Sequence, residues 1–214
     1  VNVGLPRAIE WQGRRVRSSI FKAPVTGTVR VGPVNLEGDR QADLTVHGGV
    51  IKAVYAYPAE HYGFWLEQLA VTDLPWGAFG ENLSIEGLLE TKVRIGDHLT
   101  IGTAEFAVTQ PRMPCFKLGM RHGRPDLVKR FEQAGRPGFY LSVVRPGELA
   151  AGNEIALTRS HAEALTVAEV ARLRTARRPD RKILERAAGL EGLAPDWQDH
   201  FRKQIEQYSP AVEG

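Results

Sequence analysis

The stretch QPRMPCFKLG, Gln110 to Gly119, holds the only cysteine of the chain, Cys115. Arg112 and Lys117 flank it and would stabilise a thiolate, which is both a nucleophile and a soft-metal ligand. Pro111 and Pro114 fix the backbone and remove amide donors, which suits a presented loop and equally suits an ordinary strand exit. By composition alone a single cysteine is more often a small buried hydrophobe than a reactive group. The flanking cations, more than the thiol itself, therefore point to chemistry at this position.

Four further stretches offer polar groups, each with a plainer structural alternative. In SSIFKAPVTG, the hydroxyls of Ser18 and Ser19 and the ammonium of Lys22 could serve a phosphate, or the segment is simply an alternating strand. After His47, Gly48 and Gly49 permit close backbone approach to a ligand but also make a tight turn, and Lys52 is either a strand-end cation or a solvated charge. In FGENLSIEGL, Asn82 could hydrogen-bond a polar ligand and Glu81 could act as an acid–base group, or the stretch is a glycine-rich turn before a strand. The basic run RLRTARRPDRK, Arg172 to Lys182, could suggest nucleic acid, but it lacks interleaved aromatics and reads better as a solvated helix end.

Composition narrows the classes. One cysteine among 214 residues cannot make an internal disulfide, a Cys-rich zinc site or an iron–sulfur cluster. No apolar run is long enough to cross a membrane and no secretory leader pattern is present, so a cytoplasmic protein is expected. The formal charge is +3. Residues 161–214 carry nine basic and nine acidic side chains, so the whole excess lies in residues 1–160.

The elements that must position these groups are mainly β. From residue 16 to about 158, segments such as GTVRVG, LTVHGG, KAVYAYP, AEFAVTQ and FYLSVVRPG read as short strands. KVRIGDHLTIG reads as a hairpin around its Gly-Asp pair. So many short strands predict a β-barrel, which hides its edges. Two helical interludes are expected, PAEHYGFWLEQLA and RPDLVKRFEQAG, the second ended by Gly135. After about Ser160 the pattern becomes helical. Thr166 with Glu169 forms a capping box, Asp180 can cap the next helix, and Pro195 can open a third. The expected organisation is a barrel over 1–160 followed by a small three-helix domain over 161–214.

Taken in order, GDRQADLTVHGGVIKAVYAYP, GENL, IGD, QPRMPCFKL and PGFYLSVV resemble the MOSC family, named for the C-terminal domain of molybdenum cofactor sulfurases. With the three-helix tail, the chain looks like the bacterial YiiM-like members, a group linked to resistance against hydroxylaminopurines. The resemblance implies a MOSC-type β-barrel that holds molybdenum cofactor, with Cys115 as the molybdenum ligand and N-hydroxylated bases or related compounds as substrates for reduction. It further implies that His47, Asn82 and Arg112 are pocket residues and that Lys22 approaches the cofactor's phosphate. Glu81 and Lys52 are further pocket candidates. Lys117 and Ser19 join the set as donors for an anionic cofactor. The cofactor would carry the redox work, so one soft protein ligand is sufficient.

The chain shows no Rossmann glycine fingerprint, cluster ligand set or flavin motif, so electrons are expected from a separate flavin or iron–sulfur reductase. The helical tail could dock that reductase, brace the barrel or form a homodimer contact. Two alternatives stay open at this stage: a sulfur carrier or transferase with a persulfide on Cys115, and a non-catalytic binding module that uses the basic barrel face.

Overall fold

A computed structural model describes residues 1–42 and 48–207. Its centre is a six-stranded sheet curled into a half-barrel, in the order β12-β8-β9-β10-β6-β7. These strands are β6 (Val54–Pro58), β7 (Leu83–Ile85), β8 (His98–Ile101), β9 (Ala104–Pro111), β10 (Phe139–Arg145) and β12 (Ile155–Arg159). All neighbours pair antiparallel except β6 and β7, which run parallel. Three two-stranded ladders accompany the sheet: β1 (Asn2–Val3) with β4 (Ala23–Pro24), β2 (Arg7–Trp11) with β3 (Arg14–Ser18), and β5 (Thr28–Val31) with β11 (Gly147–Ala150).

The central strands read as near-continuous apolar runs because both of their faces are covered. Strand β6 shows how. Val54 and Ala56 point into one core, which the half-barrel shares with the C-terminal helices. Tyr55 and Tyr57 point the other way, into an aromatic cluster with Tyr62, Trp65, Phe79 and Phe131. Helices α1 (His61–Leu69) and α3 (Leu127–Ala134) close that cluster, with Trp65 stacked on Phe131 at 5.1 Å. Both helices fall where their periodicity predicts, and Gly135 ends α3 in the left-handed conformation.

The tail forms α4 (Val167–Thr175), α5 (Arg181–Ala188) and α6 (Pro195–Glu206), with the Thr166–Glu169 capping box, the Asp180 cap and Pro195 in the first turn as the sequence predicts. Leu165, Val167, Leu184, Trp197 and Phe201 lie in the same core as the sheet residues Leu99, Phe106 and Leu141. The helices brace the half-barrel through shared packing, which short helices need in order to be stable.

One local expectation changes. The Gly96–Asp97 pair is a turn, but no hairpin forms around it. The segment before the turn pairs with the tail instead: Ile95 donates to the Leu165 carbonyl at 3.0 Å and Val167 to the Val93 carbonyl at 2.9 Å. The hairpin of this region is β8–β9, turning at Gly102. The segment LTVHGG lies largely outside the described residues. Among the described residues no helix is long and apolar enough to cross a membrane.

Gly138 locks the start of β10 against β6. Its φ is +64°, and an added Cβ would fall 2.6 Å from the Ala56 carbonyl oxygen and 2.8 Å from the Tyr57 ring. Gly87 also has a positive φ, of +82°, but faces open space. Gly138→Ala is therefore expected to cost about 3 kcal/mol or more, against about 1 kcal/mol for Gly87→Ala. Urea unfolding of the two variants measures this, and equal losses would contradict the packing described.

Candidate active site

Cys115 stands at the entrance to α2 (Phe116–His122), a seven-residue helix that closes on Gly123 in the left-handed conformation. The prolines before it end strand β9, and the helix then turns the chain away from the sheet. The cysteine is half-buried on the wall of a cavity enclosing ≈ 670 Å³, mouth included. Ser19, Lys22, Asn82, Arg112 and Lys117 line the same cavity, as does Lys52. His47 lies outside the described residues. A larger cleft of ≈ 1610 Å³, bordered by β7 and the β11 region, contains none of these side chains.

Arg112 is the most deeply placed cation, 6% exposed. Its guanidinium donates to the Phe79 carbonyl at 2.6 Å and to the Tyr55 hydroxyl at 3.3 Å, and lies 4.7 Å from the centre of the Tyr55 ring. Burial works against its charge, but the hydrogen bond to the Tyr55 hydroxyl favours the charged form, and the group stays above its ordinary range. Tyr55 and Tyr140 are cross-strand partners with ring centres 5.3 Å apart, and burial raises both phenols, so they keep their protons. The Tyr55 hydroxyl donates to the Pro137 carbonyl at 2.8 Å. The wall is thus cationic, with neutral phenols beside the guanidinium.

Lys22 is held more tightly than its sequence context suggests. Its ammonium pairs with Asp39, and their side chains are 9% and 1% exposed. Burial pushes the lysine below its ordinary range and Asp39 opposes that push. Asp39 also accepts from the Gly4 amide at 2.8 Å and from Asn82 Nδ2 at 3.0 Å. Asn82 spends its carbonyl oxygen on the Tyr55 amide at 3.1 Å. Asn82 therefore lines the cavity as a brace, fixing Asp39 and through it Lys22. Ser19 differs: its buried hydroxyl has no hydrogen-bond partner among the described residues, an open position that a ligand would fill.

Glu81, considered as an acid–base group, is fully buried and is not part of the cavity lining. Its carboxylate accepts from the amides of Gly77 at 2.8 Å and Phe79 at 3.0 Å, from Ser84 at 3.0 Å, and from Tyr62. Those bonds shape the loop that offers the Phe79 carbonyl to Arg112, so its part is structural. Lys52 pairs with Asp196 of α6 at 3.5 Å, which links the cavity rim to the helical tail.

Sequence reading missed Asp39, Tyr55 and Tyr140. Asp39 had a signal, since it lies in the EGDRQ segment before the glycine pair, but only pairing across the fold shows its partners. The tyrosines looked like ordinary strand residues.

Among the described residues, no three His, Cys, Asp or Glu side chains are grouped to hold a metal ion. A metal in this cavity would have to bring most of its ligands with it, and Cys115 is the thiol in the lining that could add a soft anionic donor.

The behaviour of α2 can be read through His122. It stacks on Phe79 and donates from Nε2 to the Ala78 carbonyl at 2.9 Å. Burial lowers its pKa below the usual 6.5, with that hydrogen bond partly opposing the shift. A folded-state imidazole with a lowered pKa binds fewer protons than the unfolded one, so its contribution is present above pH 6.5 and is lost as pH falls below it. Urea titrations at pH 7 and about pH 5.5 should show stability falling with acid, and falling less in His122→Gln. Equal slopes would contradict this placement.

A MOSC domain matches residues 43–156, and a YiiM-like 3-alpha helix domain matches residues 165–207. The chain is 35% identical to Protein YiiM of Escherichia coli (strain K12), over 92% of this chain and 91% of that one. The crystal structure of YiiM from Geobacillus stearothermophilus superposes with a TM-score of 0.81 at 35% identity, covering 96% of both chains. A protein of Gibberella moniliformis (strain M3125 / FGSC 7600) named "Reductase" is 33% identical over 83% of this chain, which spans 32% of that longer protein. The chain thus belongs to the MOSC family, as a YiiM-like member carrying the three-helix domain.

Proposed function

We propose that the protein is a molybdenum-cofactor-dependent reductase of N-hydroxylated bases and related N-hydroxylated compounds. The reaction is R–NHOH plus two electrons and two protons giving R–NH2 and water, the electrons coming from a separate flavin or iron–sulfur protein. One observation carries the reading: Cys115 lies on the wall of a cavity whose other walls hold Arg112, Lys117, Lys52 and a Ser19 hydroxyl with no hydrogen-bond partner among the described residues. A relative named as a reductase supports the redox class.

The residues fit such a group. An anionic cofactor that carries its own sulfur ligands asks the protein for one soft donor and for cations and hydroxyls around its phosphate. Cys115 would bind the metal. Ser19, Arg112 and Lys117 would face the anionic part, with Lys22 oriented by Asp39. When bound, the cofactor supplies the two-electron chemistry of N–O reduction. The chain's own residues hold positive charge at the cavity, and burial keeps the Tyr55 and Tyr140 phenols protonated.

Cys115→Ala should lower hydroxylaminopurine reduction by more than about 100-fold. The side chain is only half-buried, so the urea midpoint should stay within about 1 kcal/mol of wild type. Turnover is followed with reduced viologen as donor, using protein from a molybdenum-competent host with metal content measured in parallel. Full activity in a metal-loaded variant would contradict the reading. Cyanide-labile sulfur on wild-type protein without molybdenum would replace it with the persulfide alternative.

A further inference from the structure

The hairpin of β2 and β3 stands apart from the other ladders. Among the described residues its strands pair only with each other, from Arg7↔Ser18 to Trp11↔Arg14. Gln12 and Gly13, both at positive φ, make the two-residue turn that suits the twist of such an arm. Register sorts the side chains by face. Arg7, Ile9, Trp11, Arg14 and Val16 share one face, where Ile9, Trp11 and Val16 are half-buried and the two arginines exposed, and Ala8, Glu10, Arg15 and Arg17 share the other.

The charge of this arm is lopsided. It holds four arginines, Arg7, Arg14, Arg15 and Arg17, against the single acid Glu10, an excess equal to the formal +3 of the entire chain. All four are exposed, and none forms an ion pair among the described residues. Arg7 lies 3.8 Å from the Phe21 ring centre and Arg121 lies 5.5 Å from it, so the base of the arm is clamped to α2. Arg121 also donates to the Ile20 carbonyl at 2.6 Å. The stem of the arm then continues directly into Ser18, Ser19 and Lys22 of the cavity wall.

We infer that this arm is the docking surface for an acidic electron-donor protein, an inference that rests on the reductase reading above. A basic arm rooted in the cavity wall brings such a donor to the site where electrons are needed. Electron-transfer encounters are small and transient, and are guided mainly by opposite charge. Exposed arginines that form no ion pair among the described residues supply that guidance at little cost in ordering. A second copy of this chain is the wrong occupant, because four like charges would meet four more. Nucleic acid fits less well, because the face with Arg15 and Arg17 carries no aromatic ring on which a base could stack and the Trp11 ring of the other face is half-buried.

The test uses the full chain and the variant Arg14→Gln/Arg15→Gln/Arg17→Gln, which alters no cavity residue. The probes are two acidic carriers, a plant-type ferredoxin and a flavodoxin. Titration calorimetry at low salt should show wild type binding at least one carrier. Affinity should fall by about tenfold or more in the variant, and in wild type on raising salt to physiological strength. Reduction with viologen should be equal in both proteins, while reduction driven by the bound carrier should fall with its affinity. Binding of neither carrier, or equal binding by both proteins, overturns the docking surface. Loss of duplex-DNA retention in the variant with unchanged carrier binding also overturns it, in favour of nucleic acid. Wild type that binds a carrier but fails to reduce substrate with viologen overturns the reductase reading and leaves the surface standing.

Discussion

A guanidinium removed from water is the constraint that organises the site. Arg112 sits where the sheet meets the aromatic cluster, and a buried charge is tolerated only when its donors are satisfied and its field is balanced. The Phe79 carbonyl, the Tyr55 hydroxyl and the face of the Tyr55 ring meet that requirement, from two residues well separated in the chain. The Phe79 loop must therefore adopt the shape that Glu81 imposes by accepting its amides. Gly138 must allow β10 to approach β6, and its carbonyl takes the Arg112 amide at 3.3 Å. What results is a cavity whose positive wall is set before any ligand arrives, with Cys115 three residues further along the same chain.

A second chain of bonds governs the other cation. Asn82 is tied to strand β6, Asp39 to Asn82 and to the Gly4 amide, and Lys22 to Asp39. The N-terminal segment is thereby drawn onto the half-barrel and its ammonium is held in one place. The two arrangements differ in kind. Arg112 stays charged without a carboxylate beside it and so keeps its field for the cavity, whereas much of the Lys22 field is spent on Asp39. The first cation suits attraction of an anion and the second suits orientation.

The parts legible in the sequence were those with local causes. Strands β6, β9 and β10 are rich in β-branched and aromatic residues, and the caps at Thr166, Asp180 and Pro195 are chemical signals confined to four residues. Helix α2 escaped notice because seven residues after two prolines are too few to show a period. The β2–β3 arm escaped because arginines interrupt the apolar alternation of Ile9, Trp11 and Val16. The KVRIGDHLTIG turn was legible but its partner was not, since Val93 and Ile95 pair with residues of the tail. The site follows the same division. Cys115, Arg112 and Lys117 announce themselves by adjacency. The roles of Asp39, Tyr55, Tyr140 and Glu81 depend on contacts far apart in the chain, and Glu81 changed from a chemical candidate to a structural one for that reason.

The central claim is that the Cys115 sulfur binds a metal within this cationic cavity. Molybdenum K-edge absorption on metal-loaded wild type and Cys115→Ala tests it most directly. The account expects the sulfur shell around molybdenum to lose one scatterer in the variant while the metal stays bound through its own ligands. An identical sulfur shell in the two proteins would contradict it.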